Sequence, residues 1–494
     1  MIRHPEQLAP SLASGSAAAG RLMSTDVIVA ILLLAASISP LAAQVTTAPT
    51  LGPAPTLVLP AVERAVLPNG ITLLVSRNAE VPIVEGRLII DGGARLQGVA
   101  PGLASLAAGA LMEGAGGRTG VQLAEEIDLL GARIGAGASW ENFTVSVRAP
   151  KRTIDPALSL MADVALRPNF ASADVKRLRD LRLVGFLTAR DRPGSVASKV
   201  FYRNVFPAGH PFHGEIVGDS ASVATFDSAA VRRLWSSAID PHRATFIVTG
   251  DVTLAEARAW VTKHFGNWIA PVHPPTKPAI ATIAAPPHPS TRVVLVDKPG
   301  AAQSVIWIGA PGASRTSPDY PAIELMNTIL GGSFSSRLND FLREQLGYTY
   351  GANSRFEWSP VPGAFIASAQ VRTNVTDSSL AVFFREFKRI QTEPITATEL
   401  ERGKAYIVLG ALDNYETAGQ VAGAISSSVM FGRPLAAISR EYAKIELLTT
   451  AEVQRAADDY FDPARMTVVV VGDLAKIRAG IEKLNLGPVE VQTY

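Results

Sequence analysis

Cysteine is missing from all 494 residues. That absence removes disulfide frameworks, thiolate zinc sites and cysteine nucleophiles together. Histidine is scarce, at seven, and nowhere stands in the spacings H-E-x-x-H or H-x-x-E-H. Those spacings put two imidazoles and a carboxylate on one helical face, where they can hold zinc and activate a water. Neither sign of charge dominates, with 46 basic side chains against 44 acidic and a net charge of +2. No Lys/Arg block interleaves with aromatics, so nucleic acid is not an expected partner. Long apolar runs are lacking too: Val27 to Ala36 is too short for a comfortable membrane span.

What is present fits a well-packed globular protein, 47% hydrophobic and 18% charged, on a chain long enough for two or more domains. The Val27–Ala36 run ends in Ser39-Pro40-Leu41-Ala42-Ala43-Gln44, small residues suited to signal-peptidase cleavage after Ala43. Residues 1–43 are therefore read as a signal peptide and 44–59 as a low-complexity leader. Met23 is a second possible start, and an N-terminal anchor or buried helix is the alternative reading of the run. The expected location is periplasmic or secreted, with no stable membrane span after signal cleavage; a chain without cysteine tolerates an oxidising compartment.

The chain repeats itself. Asp240-Pro241-His242-Arg243-Ala244-Thr245 leads into Phe246-Ile247-Val248-Thr249-Gly250-Asp251, and Asp462-Pro463-Ala464-Arg465-Met466-Thr467 leads into Val468-Val469-Val470-Val471-Gly472-Asp473. Both read D-P-x-R-x-T, four mainly apolar residues, then G-D. The offset of 222 residues is a duplicated domain rather than a solenoid unit. A Pro- and Ala-rich stretch, 271–290, reads as the linker. Domains are expected over 60–270 and 291–482, with 483–494 a tail. Leu67-Pro68-Asn69-Gly70 is a turn ahead of a strand over 71–75, and Thr291–Val296 opens the second half as a strand. Ala322, Leu325, Met326, Ile329 and Leu330 form an amphipathic helical stripe. The expected fold class is α+β: two homologous domains, each a largely antiparallel sheet with helices packed on one face.

Several segments, in order, resemble the insulinase-type (pitrilysin and mitochondrial-processing-peptidase-like) zinc metallopeptidases. They are Asn69-Gly70, Asp91-Gly92-Gly93-Ala94-Arg95, Leu130-Gly131-Ala132, Ala138–Phe143, His210-Pro211-Phe212 and Ile216-Val217-Gly218. The second half adds Leu330-Gly331-Gly332-Ser333-Phe334-Ser335-Ser336-Arg337-Leu338 and Leu342-Arg343-Glu344-Gln345-Leu346-Gly347-Tyr348-Thr349-Tyr350. The resemblance spans roughly residues 60 to 480. It implies that H-x-x-E-H belongs within Gly102–Gly109, where its key positions read Ser105, Ala108 and Gly109. The third ligand, a glutamate, is expected near Gly185, and no carboxylate lies between Asp180 and Asp191. No metal site is expected in this chain. His210 and His213 form an H-x-x-H pair near Glu215, but Pro211 breaks helical geometry there and a structural turn is the favoured reading. Ser105 lacks the surroundings of a serine nucleophile.

The resemblance also implies what is kept. Arg343 and Tyr350, seven residues apart, match the family's arginine–tyrosine pair. Arg343 would hold a substrate carbonyl, and Tyr350 would donate to the oxyanion of peptide hydrolysis. The residues themselves allow this reading: Leu338, Phe341, Leu342 and Leu346 supply a buried helical stripe that leaves Arg343 off it. Gly347 terminates the helix, and a strand carries Tyr350. A surface cation and an ordinary strand aromatic are the plain alternatives, and Tyr348 competes with Tyr350. Gly331, Gly332 and Ser333 lack the lysine of a phosphate loop. They either border the substrate or simply let backbone pass tightly.

The expected function is a zinc-free subunit of a heterodimeric zinc metallopeptidase, inactive alone. Its partners would be a homologous subunit carrying H-x-x-E-H and zinc, and the peptide substrate. The rival is a non-catalytic scaffold or peptide-binding protein of the same fold.

Overall fold

The computed structural model describes residues 58–96, 99–270 and 288–494. The signal peptide, most of the leader and most of the linker lie outside the described residues.

Two six-stranded, largely antiparallel sheets carry the fold. The first comprises β1 (Glu63–Val66), β2 (Thr72–Arg77), β3 (Ile83–Asp91), β4 (Arg133–Ala138), β5 (Asn142–Pro150) and β6 (Ala244–Gly250), in the order β1-β2-β6-β3-β5-β4. The second comprises β7 (Arg292–Asp297), β8 (Gln303–Pro311), β9 (Thr349–Phe356), β10 (Ala364–Arg372), β11 (Thr467–Gly472) and β12 (Val489–Val491), in the order β12-β7-β11-β8-β10-β9. Strand for strand, β2, β6, β3, β5 and β4 correspond in order to β7, β11, β8, β10 and β9. The sequence repeat is thus a repeat of topology. In both copies the aspartate before the proline caps a tight turn: Asp240 Oδ1 accepts from His242 N at 3.0 Å, and Asp462 Oδ1 from Ala464 N at 2.9 Å. Each turn launches a strand that lies parallel to the first long strand of its sheet. Residues 489–491, inside the segment read as a tail, form β12 on the open edge of β7.

The helices used below are α1 (Leu103–Ala110), α2 (Gly120–Leu129), α3 (Ile154–Leu166), α4 (Ser172–Ala189), α5 (Pro193–Val205), α6 (Ser228–Ala238), α7 (Leu254–Phe265), α8 (Tyr320–Asn327), α9 (Thr376–Thr392), α10 (Ala397–Gly410) and α11 (Ala418–Met430). In the first half, buried side chains of α1, α3, α6 and α7 pack with Leu73, Leu88, Phe143 and Phe246 on one face of the sheet. In the second, α8 and α9 do the same against Leu295, Ile308, Phe365 and Val470; the stripe Ala322, Leu325, Met326, Ile329 and Leu330 is buried throughout.

The central strands are apolar on both faces, and β11 is buried at every position. A strand of that kind needs cover on each side. Each half takes its second cover from the other. Helix α5 lays Val196, Ala197, Val200, Phe201 and Val205 on Val294, Val305, Ile366, Val469 and Val471 of the second sheet. Helix α11 lays Val421, Ala422 and Ile425 on Ile89 and Ile247 of the first. Burying the large side chains of α5 alone is worth on the order of 10 kcal/mol before ordering costs. Residues 56–494 accordingly form one compact unit. No helix among the described residues is long and apolar enough to cross a membrane.

Candidate functional site

Helix α1 carries the three positions where H-x-x-E-H is expected. Ser105 is turned inward, its one hydroxyl proton within reach of Gly102 O at 3.1 Å and of Ile216 O at 3.0 Å. Ala108 is 1% exposed and belongs to the apolar core of the first half, so a carboxylate there would be buried without a partner. Gly109 faces open space. Across from α1 runs α4, the helix expected to bring the third ligand. It brings Arg182, whose Nη1 donates to Ser105 Oγ at 2.8 Å and to Gly102 O at 3.0 Å. Burial lowers the pKa of this guanidinium. A hydroxyl, a methyl, a bare glycine and a fixed cation cannot hold a dication; zinc does not fit these residues. Arg182 joins the two helices that a shared metal would have joined.

His210 and His213 serve a turn. His210 Nδ1 accepts from Phe212 N at 3.1 Å, and its ring stacks on Phe206 at 4.5 Å between centroids. Nδ1 of His213 lies 2.8 Å from Phe206 O, a contact in which that nitrogen must donate. Burial, and then the neighbouring His213, lower the pKa of His210. Both rings border a cavity of about 650 Å³ together with Lys199, Arg203 and Glu215. Burial raises the Glu215 carboxyl despite the two nearby cations. Among the described residues no three His, Asp or Glu side chains gather in a group able to hold a metal.

In the second half, the chain after α8 widens into a π-helical turn over Thr328–Gly332, and a second such turn spans Asp340–Gln345. Turns of this type concentrate at functional sites. Gly331 sits against β9: an added Cβ would come within 2.5 Å of Ser354 Oγ and 2.6 Å of Ser354 N. Tight passage of backbone therefore accounts for Gly331. Gly332 packs against Asn327, and Ser333 Oγ donates to Thr328 O at 3.1 Å.

The second π turn corrects the expected helical stripe. Leu338 and Leu342 are fully buried, whereas Leu346 is 38% exposed. Leu346 N bonds back five residues to Phe341 O at 3.0 Å. The extra residue in that turn breaks the 3.6 period and rotates Leu346 outward. Gly347, at φ +59°, ends the segment in the left-handed region as expected.

Arg343 projects from this turn. Its guanidinium lies over the ring of Phe334 at 4.2 Å, and its ion pair with Glu344 is long, at 3.4 Å. Tyr350 stands on β9 with 93% of its surface exposed, and its hydroxyl has no partner among the described residues. Tyr348 differs: its ring packs on the core of the second half. No hydrogen bond joins Arg343 to Tyr350, or either of them to Ser105.

Buried Asn339 ties the elements together. Its Nδ2 donates to Phe334 O at 2.6 Å, and its Oδ1 accepts from Ala352 N at 3.2 Å. Asn327 Nδ2 donates to Ser354 O at 3.2 Å. The two asparagines thus bond Ala352 N and Ser354 O of the edge strand β9, two groups that would otherwise be open to another strand. Sequence reasoning missed Arg182, Phe334 and Asn339. Arg182 stands out only as an arginine where a carboxylate was sought, and Phe334 as the one aromatic in the glycine- and serine-rich stretch.

Comparison with known proteins bears on both halves. The family model "Insulinase (Peptidase family M16)" matches residues 73–185, and the model "Peptidase M16 inactive domain" matches residues 225–407. An "uncharacterized zinc protease" of Mycobacterium tuberculosis is 25% identical over 403 residues, covering 80% of this chain and 89% of its own. One of Rickettsia bellii is 25% identical over 346 residues, covering 69% and 81%. The crystal structure of a peptidase M16 inactive domain from Pseudomonas fluorescens is 26% identical, with a TM-score of 0.76, covering 83% of this chain and 98% of that one. A protease from Helicobacter pylori shares the fold at 18% identity, with a TM-score of 0.77 and coverage of 84% and 100%.

Proposed function

Because the chain belongs to the insulinase-type (M16) peptidase family, we propose that it is the zinc-free subunit of a heterodimeric metallopeptidase. A homologous partner would supply H-x-x-E-H, zinc and the carboxylate that activates water. This chain would supply two groups. The Arg343 guanidinium holds a backbone carbonyl of the peptide through charge-assisted hydrogen bonds. The Tyr350 hydroxyl donates to the oxygen on which charge develops as the carbonyl is attacked.

One observation supports the reading: Arg182 bonds Ser105, the first of the three expected ligand positions, while Tyr350 stands exposed on β9 with no hydrogen-bond partner for its hydroxyl among the described residues. A scaffold has no use for such a donor. Export, with a mature chain starting near Gln44, belongs to the same proposal; N-terminal sequencing of the native protein from cell fractions tests it. An intact 27–43 segment in the cytosol would overturn it.

The test of function is steady-state kinetics on the complex reconstituted with the partner that carries H-x-x-E-H. Tyr350→Phe should lower kcat by on the order of 100-fold while leaving assembly and zinc content intact. Arg343→Ala should also raise KM, because its contact operates in the bound ground state as well. Tyr348→Phe, whose ring only packs, should be nearly silent. Wild-type rates for Tyr350→Phe would leave the scaffold reading in place.

A further inference from the structure

The cavity of about 650 Å³ beside the His210–His213 turn has the volume of a small-molecule site, which usually lies at about 300–1,000 Å³. Neither Arg343 nor Tyr350 lines it. Trp140 and Ile216 give it apolar wall, and Gly102, the residue ahead of α1, borders it without a side chain to cap that helix. The positive end of a helix favours an anion there.

Three donors border the cavity. Lys199 and Arg203 stand four residues apart on α5 and so share one face of it. Neither forms an ion pair among the described residues; Lys199 Nζ only lies over the ring of Tyr494, at 5.1 Å. The third donor is His210, which is 8% exposed. Its Nδ1 accepts from Phe212 N, so the proton of the neutral ring sits on Nε2. That N–H has no partner among the described residues, and a buried donor without an acceptor is costly to the fold. The cavity that the ring lines is where its acceptor would come from.

Acceptors stand beside these donors. His213 donates through Nδ1, which leaves its Nε2 free to accept. The Glu215 carboxyl has no hydrogen bond among the described residues either; Lys199 and Arg203 act on it from a distance without pairing. Asp219, by contrast, is already engaged, accepting from Ser222 N at 2.8 Å.

We propose that this cavity binds the C-terminal end of a peptide. Lys199, Arg203 and the Nε2–H of His210 hold the terminal carboxylate, Glu215 and Nε2 of His213 accept amide N–H groups, and Trp140 and Ile216 receive an apolar last side chain. Charge-assisted bonds to the carboxylate supply most of the affinity. The acceptors select a peptide end over a simple organic acid. The site holds whether or not the chain serves a peptidase.

The test is isothermal titration calorimetry on the full chain with three probes. N-acetyl-leucine carries the carboxylate, an amide N–H and an apolar side chain; 4-methylpentanoate lacks the amide; N-acetyl-leucinamide lacks the carboxylate. N-acetyl-leucine should bind at one site, 4-methylpentanoate about tenfold more weakly and N-acetyl-leucinamide about a hundredfold more weakly. Lys199→Met and Arg203→Met should each weaken N-acetyl-leucine by roughly tenfold, whereas Arg233→Met, outside the cavity, should not. N-acetyl-leucine should also raise the urea midpoint of the wild type, because it binds only the folded chain. Absence of binding to the wild type, equal affinity for the leucinamide, or unchanged affinity in both methionine variants would overturn the site. Equal affinity for 4-methylpentanoate would overturn the peptide end as its ligand.

A second measurement uses the wild type alone for binding. In the chain labelled with 15N-histidine, N-acetyl-leucine should move the Nε2 resonances of His210 and His213, identified by their loss in His210→Gln and His213→Gln. Movement confined to other histidines, or none at all, would place the ligand elsewhere and overturn the assignment.

Discussion

Arg182 places a fixed positive charge between α1 and α4, bonded to a hydroxyl and a carbonyl on the opposing helix. Its removal should cost stability as well as geometry, because Ser105 Oγ and Gly102 O lose a charged donor. Arg182→Ala is expected to lower unfolding free energy by about 2 kcal/mol, read as a shift of the urea midpoint at unchanged m-value. An unshifted midpoint would show that the contact is idle. The same residues set the metal chemistry: after dialysis the isolated chain is expected to retain no stoichiometric zinc and to hydrolyse no peptide. One zinc per chain by elemental analysis, with chelator-sensitive proteolysis, would contradict that. The missing ligands were legible in the sequence at Ser105, Ala108 and Gly109. The substitute was not, because Ser105 and Arg182 lie 77 residues apart and only the crossing of two helices brings them together.

The segment from Arg337 to Gln345 shows what periodicity can and cannot reveal at the scale of an element. Leu338, Leu342 and the terminating Gly347 followed the helical rule; Leu346 escaped it because a π turn intervenes, and no residue pattern announces that insertion. The segment is pinned at its start by Arg337, whose Nε donates to Glu399 Oε1 at 2.6 Å, and Glu399 also caps the start of α10. Burial alone would raise the Glu399 carboxyl; the bonds from Arg337 and from the Thr396 N–H outweigh it and hold the pKa at about 2, against an ordinary 4.5. A depressed folded-state pKa contributes stability that is complete above 4.5 and is lost as the pH falls from there toward 2. Glu399→Gln should therefore flatten the acid limb of the stability curve, narrowing the difference between pH 5 and pH 2 by on the order of 2 kcal/mol. An acid limb identical to wild type would place the pinning elsewhere. In the complex, the same variant should raise KM more than it lowers kcat, since Arg343 rides on the segment it loosens.

Across the whole molecule, the duplication was plain from two D-P-x-R-x-T turns, and the sheets follow it strand by strand. The exchange of α5 and α11 was hidden. An amphipathic stripe such as Val196, Val200 and Phe201 tells that a helix face is buried, never which sheet buries it. Each half by itself would leave one face of its sheet bare: Ile89 and Ile247 in one, Val294, Val469 and Val471 in the other. Residues 58–270 expressed alone should therefore aggregate or stay expanded, and co-expression with 288–494 should recover a soluble pair. A monomeric, cooperatively folded 58–270 fragment would refute the argument. Heating or urea should likewise unfold the intact chain in one transition rather than two. The exchanged helices also decide where motion can occur. Two halves clasped reciprocally cannot swing apart without tearing both sheets' cover away, so this chain moves as a single jaw. In a heterodimer of the kind proposed above, the joint that admits a peptide would then lie at the boundary between the two subunits, and the rate of its opening would set the ceiling on turnover however well Tyr350 were placed.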